Sequence, residues 1–135
     1  MNTSLRLIEG IKRKFADEVY KTNILDSVEK KIIEYFNAIG EQTEEEFKKA
    51  KSLNLIINPQ SYNFLYIRIQ DTGLSFYRED DNIFVYELLE YGEEREYDRI
   101  YVKDKTVVTS LYLEVSSVSN ILNKYVEHLF EKYLV

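Results

Sequence analysis

NIFVYELLEYGEEREYDRIYVK, residues 82–103, decides how this chain folds. Two runs rich in β-branched and aromatic side chains, NIFVYELLEY and REYDRIYVK, flank Gly92-Glu93-Glu94. Alternating side chains of that kind suit pleated backbone. A connection this short joins antiparallel neighbours, because parallel strands need crossovers of roughly a dozen residues or more. The stretch therefore predicts a hairpin. Strict alternation puts Glu94, Glu96, Asp98, Ile100 and Val102 on one face of its second strand, and Arg95, Tyr97, Arg99 and Tyr101 on the other. Ile100 and Val102 mark the first of these faces as the core.

The pattern continues in both directions. SYNFLYIRIQ and LSFYRE precede the hairpin, TVVTSLYLEV follows it, and the connections at 71–73, 80–81 and 103–105 are short and polar. Residues 54–115 thus read as an antiparallel meander of about five strands, with LNLIINP as a short strand ending before Pro59. Outside this segment the period becomes helical. Leu5, Ile8, Ile11, Phe15 and Val19 form one stripe, and Leu25, Val28, Ile32, Phe36 and Ile39 a second. The join at Lys21–Thr22 reads as a break or a kink. Asn23 suits an N-cap of the second stripe and Gly40 its end. Thr43 and Glu46 match a capping box for a third helix that buries Phe47, Ala50 and Leu53. Residues 116–135 carry the broadest stripe, from Val118 through Ile121, Leu122, Tyr125, Val126, Leu129 and Phe130 to Tyr133 and Leu134, with Ser116 or Ser117 as cap. The expected fold is α+β: one domain, 1–135, with a helical part (1–53), the sheet (54–115) and a C-terminal helix (116–135), in two layers that bury the helical stripes on one sheet face.

Alternation then sorts the candidate residues. Leu65, Ile67, Ile69, Leu74 and Phe76 belong under the helices. Tyr62, Phe64, Tyr66, Arg68 and Tyr77, with Arg95, Tyr97, Arg99 and Tyr101, belong on the other face. Tyrosine and arginine give large, rigid contact area with a polar handle, which suits a partner-binding surface. Tyrosine also packs well in cross-strand pairs, so a purely structural reading stays open. Glu94, Glu96 and Asp98 could together hold a hard cation, or could simply be charged residues at a sheet edge.

The remaining bounds are mostly exclusions. With no cysteine there is no thiolate metal site, disulfide or cysteine nucleophile, which fits a reducing compartment. The N-terminus does not read as a secretory signal, and no apolar run is long enough to span a membrane. These features predict a soluble cytoplasmic protein. The net charge is −6. The surplus lies in the middle, where residues 52–110 hold six basic and eleven acidic side chains. That distribution argues against nucleic acid as a partner, and IKRK at 11–14 reads as a solvated helix face rather than a nucleic-acid contact. The single histidine, His128, falls on the polar side of the last helix. No glycine-rich phosphate loop or nucleophile–base pair is recognisable, so no cofactor is expected and an enzyme is disfavoured.

In size, acidity and helix–meander–helix order the chain resembles several groups of small bacterial proteins, among them the small acidic dimeric chaperones of type III secretion and toxin-neutralising immunity proteins. The resemblance is architectural and carries no residue correspondence. It implies a protein partner. The expectation is therefore a protein-interaction module, with an acidic metal-binding protein or enzyme as the alternative. Self-association through Tyr133, Leu134 and Val135 of the last helix would compete for such a surface.

Overall fold

In the computed structural model, which describes residues 2–60, 62–114 and 117–135, helices flank an antiparallel sheet as the two periodicities require. The helices are α1 (Thr3–Lys14), α2 (Ala16–Gln42), α3 (Glu44–Lys49) and α4 (Val118–Leu129). The strands are β1 (Ile56–Asn58), β2 (Leu65–Ile69), β3 (Thr72–Glu79), β4 (Asn82–Leu88), β5 (Glu94–Lys103), β6 (Thr106–Thr109) and the two-residue stub β7 (Leu113–Glu114). They lie side by side in sequence order, every pair antiparallel. The meander thus has six strands of three residues or more, not five. TVVTSLYLEV splits at Ser110–Tyr112 into β6 and β7, and its last residue, Val115, lies outside the described residues, as does Ser116. No helix among the described residues is long and apolar enough to cross a membrane.

The core lies between one sheet face and two helices. Leu25, Val28, Ile32 and Phe36 of α2, and Val118, Ile121, Leu122 and Tyr125 of α4, close over Leu65, Ile67, Leu74, Phe76, Ile83, Val85 and Ile100. Phe130 seals the end of α4, and Ser117 caps its start by accepting from the Asn120 N–H at 3.1 Å. Tyr133 docks on its own sheet, its hydroxyl donating to Gln70 Oε1 at 2.6 Å.

The N-terminal helices depart from expectation. The break falls at Phe15, and α2 runs unbroken through Lys21–Thr22 and Asn23. Gly40 lies inside α2, with Ile57 packed beside it. Thr43 does not cap α3; its hydroxyl donates back to the Ile39 carbonyl at 2.8 Å. Phe47 is exposed. The first stripe, Leu5 to Val19, spans α1 and the start of α2 and is exposed rather than buried.

One register shift rearranges the strand that the hairpin predicted. Val85 lies opposite Asp98, but its neighbour Tyr86 lies opposite Glu96. Tyr97 is therefore the extra residue of a β-bulge, which re-aims the side chains on one side of it. Asp98, Ile100 and Val102 keep the core-side phase. Glu94 and Glu96 switch to the face that carries no helix among the described residues, and Arg95 switches to the helix side, opposite Glu87, with which it forms an ion pair.

Candidate functional site

The open sheet face is the site the sequence proposed, with altered membership. Tyr66 and Arg68 of β2, Ser75 and Tyr77 of β3, and Phe84 and Tyr86 of β4 lie on it, with Glu94, Glu96, Arg99 and Tyr101 of β5, as the pairing registers require. Its aromatic side chains are half-buried by one another. The Tyr77 and Tyr86 rings meet edge-to-face at 5.3 Å, and the Arg99 guanidinium lies over the Phe84 ring at 5.8 Å. Glu94 reaches across β4 to accept from Ser75 Oγ at 2.7 Å and from the Tyr77 hydroxyl at 2.9 Å. Burial, and then Glu94, raise the Tyr77 hydroxyl above its ordinary pKa, so it stays a donor. A depression of about 210 Å³ opens between Tyr66, Arg68, Leu88, Tyr91 and Glu94. A second, of about 410 Å³, is lined by Tyr101, Lys103, Val108 and Leu113 among others.

Four expected members of this face lie elsewhere. Tyr62 precedes β2 on a loop and is 93 % exposed. Phe64 lies just before the strand, where alternation no longer binds, and packs its ring against Phe76 at 6.0 Å. Arg95 is on the helix side through the bulge. Tyr97 turns under α4, its ring 5.4 Å from Tyr125 and 5.7 Å from His128. Phe84 and Tyr86 were missed. In NIFVYELL both alternating sets are apolar, so the pattern does not choose between faces, and only the register with β3 does.

The three carboxylates proposed for a metal are split by the bulge. Glu94 and Glu96 are on the open face, whereas Asp98 is buried on the core face, 3 % exposed. Among the described residues no group of three or more histidine, cysteine or acidic side chains is placed to hold a metal ion.

Asp98 instead organises an interior polar cluster. It accepts from the main-chain N–H groups of Arg99 at 2.8 Å and Leu111 at 2.9 Å, and from the Tyr125 hydroxyl. The Leu111 N–H lies just past the β5–β6 ladder, and the carboxylate replaces the strand partner it lacks. Tyr97 sits beside this group, its hydroxyl 3.2 Å from that of Tyr112 and 3.0 Å from His128 Nδ1. Burial is the main reason the Tyr97 and Tyr125 hydroxyls are pushed far above the usual tyrosine range, with Tyr112 adding to the first and Asp98 to the second. Both therefore remain protonated hydrogen-bonding groups, unsuited to act as bases near neutrality. Among the described residues no buried side-chain nitrogen or oxygen lacks a partner. The chemistry of the cluster is self-contained, which suits a structural role.

Compared with known proteins, the chain matches no family model, no curated protein and no solved structure.

Proposed function

We propose that this chain is a non-enzymatic protein-interaction module, immunity-, adaptor- or chaperone-like in role, that docks another protein on its open sheet face. One observation carries the reading. A sheet face without a covering helix among the described residues presents Tyr66, Phe84, Tyr101 and Arg99 together, residue types that concentrate binding energy at interface centres. The net charge of −6 favours a basic partner, since complementary charge speeds encounter. The lack of cysteine suits a reducing compartment, and the cytoplasm is the proposed location.

The test is affinity capture from source lysate, read by mass spectrometry, with wild type beside a Tyr66→Ser, Arg99→Ala, Tyr101→Ser variant. None of these side chains enters the core cluster, so the variant keeps its circular dichroism spectrum and melting temperature. A basic protein retained by wild type and lost by the folded variant supports the reading. Equal retention by both sinks it.

A further inference from the structure

Every residue from Asn2 to Tyr20 is exposed, and α1 buries none of its side chains. Asn2 caps the helix, its Oδ1 accepting from the Ser4 and Leu5 N–H groups at 2.9 and 3.4 Å. Phe15 closes it, its N–H donating to the Ile11 carbonyl at 3.1 Å. α1 is therefore a complete helix of 12 residues with its own two ends. Helices of this length are marginal in water on their own, and most helix stability comes from packing an amphipathic face. α1 has such a face, and the rest of the chain does not cover it.

That face is apolar in the middle and basic at both margins. Within α1 alone, about 100° per residue places Leu5, Leu7, Ile8 and Ile11 in one arc of about 160°. These four side chains are 46 to 64 % exposed. Lys12 falls at the edge of the arc beside Leu5, and Lys14 just past the other edge, beside Leu7. Arg6, Gly10 and Arg13 fall on the opposite side, with Glu9 next to them. Arg6, Lys12, Arg13 and Lys14 against Glu9 give α1 a net charge of +3, whereas the remainder of the chain carries −9. The sign reverses at the break, because Asp17 and Glu18 open α2.

We propose that α1 lies on an anionic phospholipid surface, its apolar arc among the acyl chains and its basic side chains at the headgroups. At about 18 Å long it rests in the interface rather than crossing it. Charge complementarity favours this occupant, because a lipid interface rewards the apolar arc and the basic margins together. Lysines at the margins lay their stems along the arc while their ammonium groups reach phosphate. Duplex nucleic acid would reward the four basic side chains and leave the apolar arc in water. Pairing two such arcs from two copies would gather the margin lysines of both along one seam, which like charge disfavours. The acidic body does not hold the chain off, because charges are screened beyond about 8 Å at physiological ionic strength and α1 is exposed along its whole length. The open sheet face takes no part, so this inference goes beyond the function proposed above and does not depend on it.

Flotation of the full chain with vesicles tests the proposal, comparing phosphatidylcholine alone with phosphatidylcholine mixed with phosphatidylserine. Wild type should partition onto the mixed vesicles about tenfold or more better than onto phosphatidylcholine, since each basic residue near an anionic surface is worth about fivefold. Salt at about 1 M, where screening acts within roughly 3 Å, should release it. Ile11→Asp should weaken partitioning about tenfold or more, with an unchanged melting temperature because Ile11 lies outside the core cluster. The chain has no tryptophan, so single reporters are unambiguous. Emission from Leu7→Trp should shift to the blue on mixed vesicles. Emission from Gly10→Trp, where an added Cβ meets nothing within 4 Å, should not. No binding to mixed vesicles, equal binding to both kinds, binding that survives Ile11→Asp, or equal shifts from the two reporters would each overturn the proposal. So would a wild type that ignores vesicles and either sediments as a dimer or captures an acidic protein through α1. The Tyr66→Ser, Arg99→Ala, Tyr101→Ser variant should float as wild type does, so the failure of one reading leaves the other standing.

Discussion

Removing one oxygen, by Tyr125→Phe, tests whether the cluster around Asp98 holds the sheet to α4. The Tyr125 hydroxyl grips the carboxyl group from the helix side while two main-chain N–H groups grip it from the sheet side. Phenylalanine keeps the ring packing but leaves a buried acceptor one partner short. Hydrogen bonds to charged groups contribute about 1.5–3 kcal/mol. Unfolding entropy near 2.1 cal/mol/K per residue converts that loss, for this chain length, into a fall of about 5–10 °C in melting temperature.

The alkaline limb supplies a second signature. The folded chain holds the Tyr125 hydroxyl far above its unfolded pKa, through burial first and then Asp98. A raised folded pKa means that the stabilisation is complete below the unfolded value of about 10 and is lost as pH rises above it, because only the unfolded chain then releases the proton. Tyr125's share of the loss is about 1.4 kcal/mol per pH unit in wild type and absent from the variant, while the other raised tyrosines act on both alike. The two stability curves should therefore stay parallel up to about pH 10, converge above it, and meet within roughly two pH units. Urea unfolding followed by circular dichroism across that range measures both limbs. Equal stability at neutral pH, or curves that remain parallel through the alkaline range, would refute the reasoning.

Two other outcomes follow from the geometry. Gly73→Ala would place a Cβ 2.7 Å from the Ile67 carbonyl oxygen and 3.3 Å from the Leu88 side chain. Overpacking of this kind costs about 1–3 kcal/mol, and an unchanged urea midpoint would contradict the packing described. Millimolar Mg²⁺ or Ca²⁺ should shift the melting temperature by less than about 1 °C, because the bulge separates Glu94 and Glu96 from Asp98. A saturable rise of several degrees would mean that the folded chain gathers these carboxylates after all.

The fold was legible wherever composition and period agreed. Leu25 to Phe36 and Val118 to Tyr125 show a clear helical period and are buried against the sheet, and the short polar connections fall between strands as the pattern puts them, although the last helix ends at Leu129 and leaves Leu134 exposed. Capping signals misled where a longer-range preference won. Asn23 sits inside α2, whose packed face begins just past it at Leu25, and Gly40 lies two residues before the helix ends at Gln42. The stripe from Leu5 to Val19 was read correctly as amphipathic, but periodicity says only that a face needs cover, not that the same chain provides it. The site was half legible. Tyr66, Arg68, Tyr77, Arg99 and Tyr101 are on the open face as alternation requires. Arg95, Tyr97, Glu94 and Glu96 are not where it puts them, because alternation assumes no inserted residue and a bulge leaves no local mark in REYDRIYVK.

That inserted residue explains why the open face and the interior cluster can coexist on one strand. Without the bulge, Tyr97 would join Arg99 and Tyr101 on the open face, and Glu94 and Glu96 would lie on the helix side. With the bulge, Tyr97 moves under α4 to Tyr112 and His128, and Glu94 reaches the hydroxyls of Ser75 and Tyr77. Asp98 alone stays on the core face, where two main-chain N–H groups and a tyrosine satisfy it. The strand can therefore carry three carboxylates without burying an unsatisfied charge. Tyr66, Arg99 and Tyr101 are left outside the core cluster, so they can change without unfolding the domain, as substitutions made to separate binding from stability require.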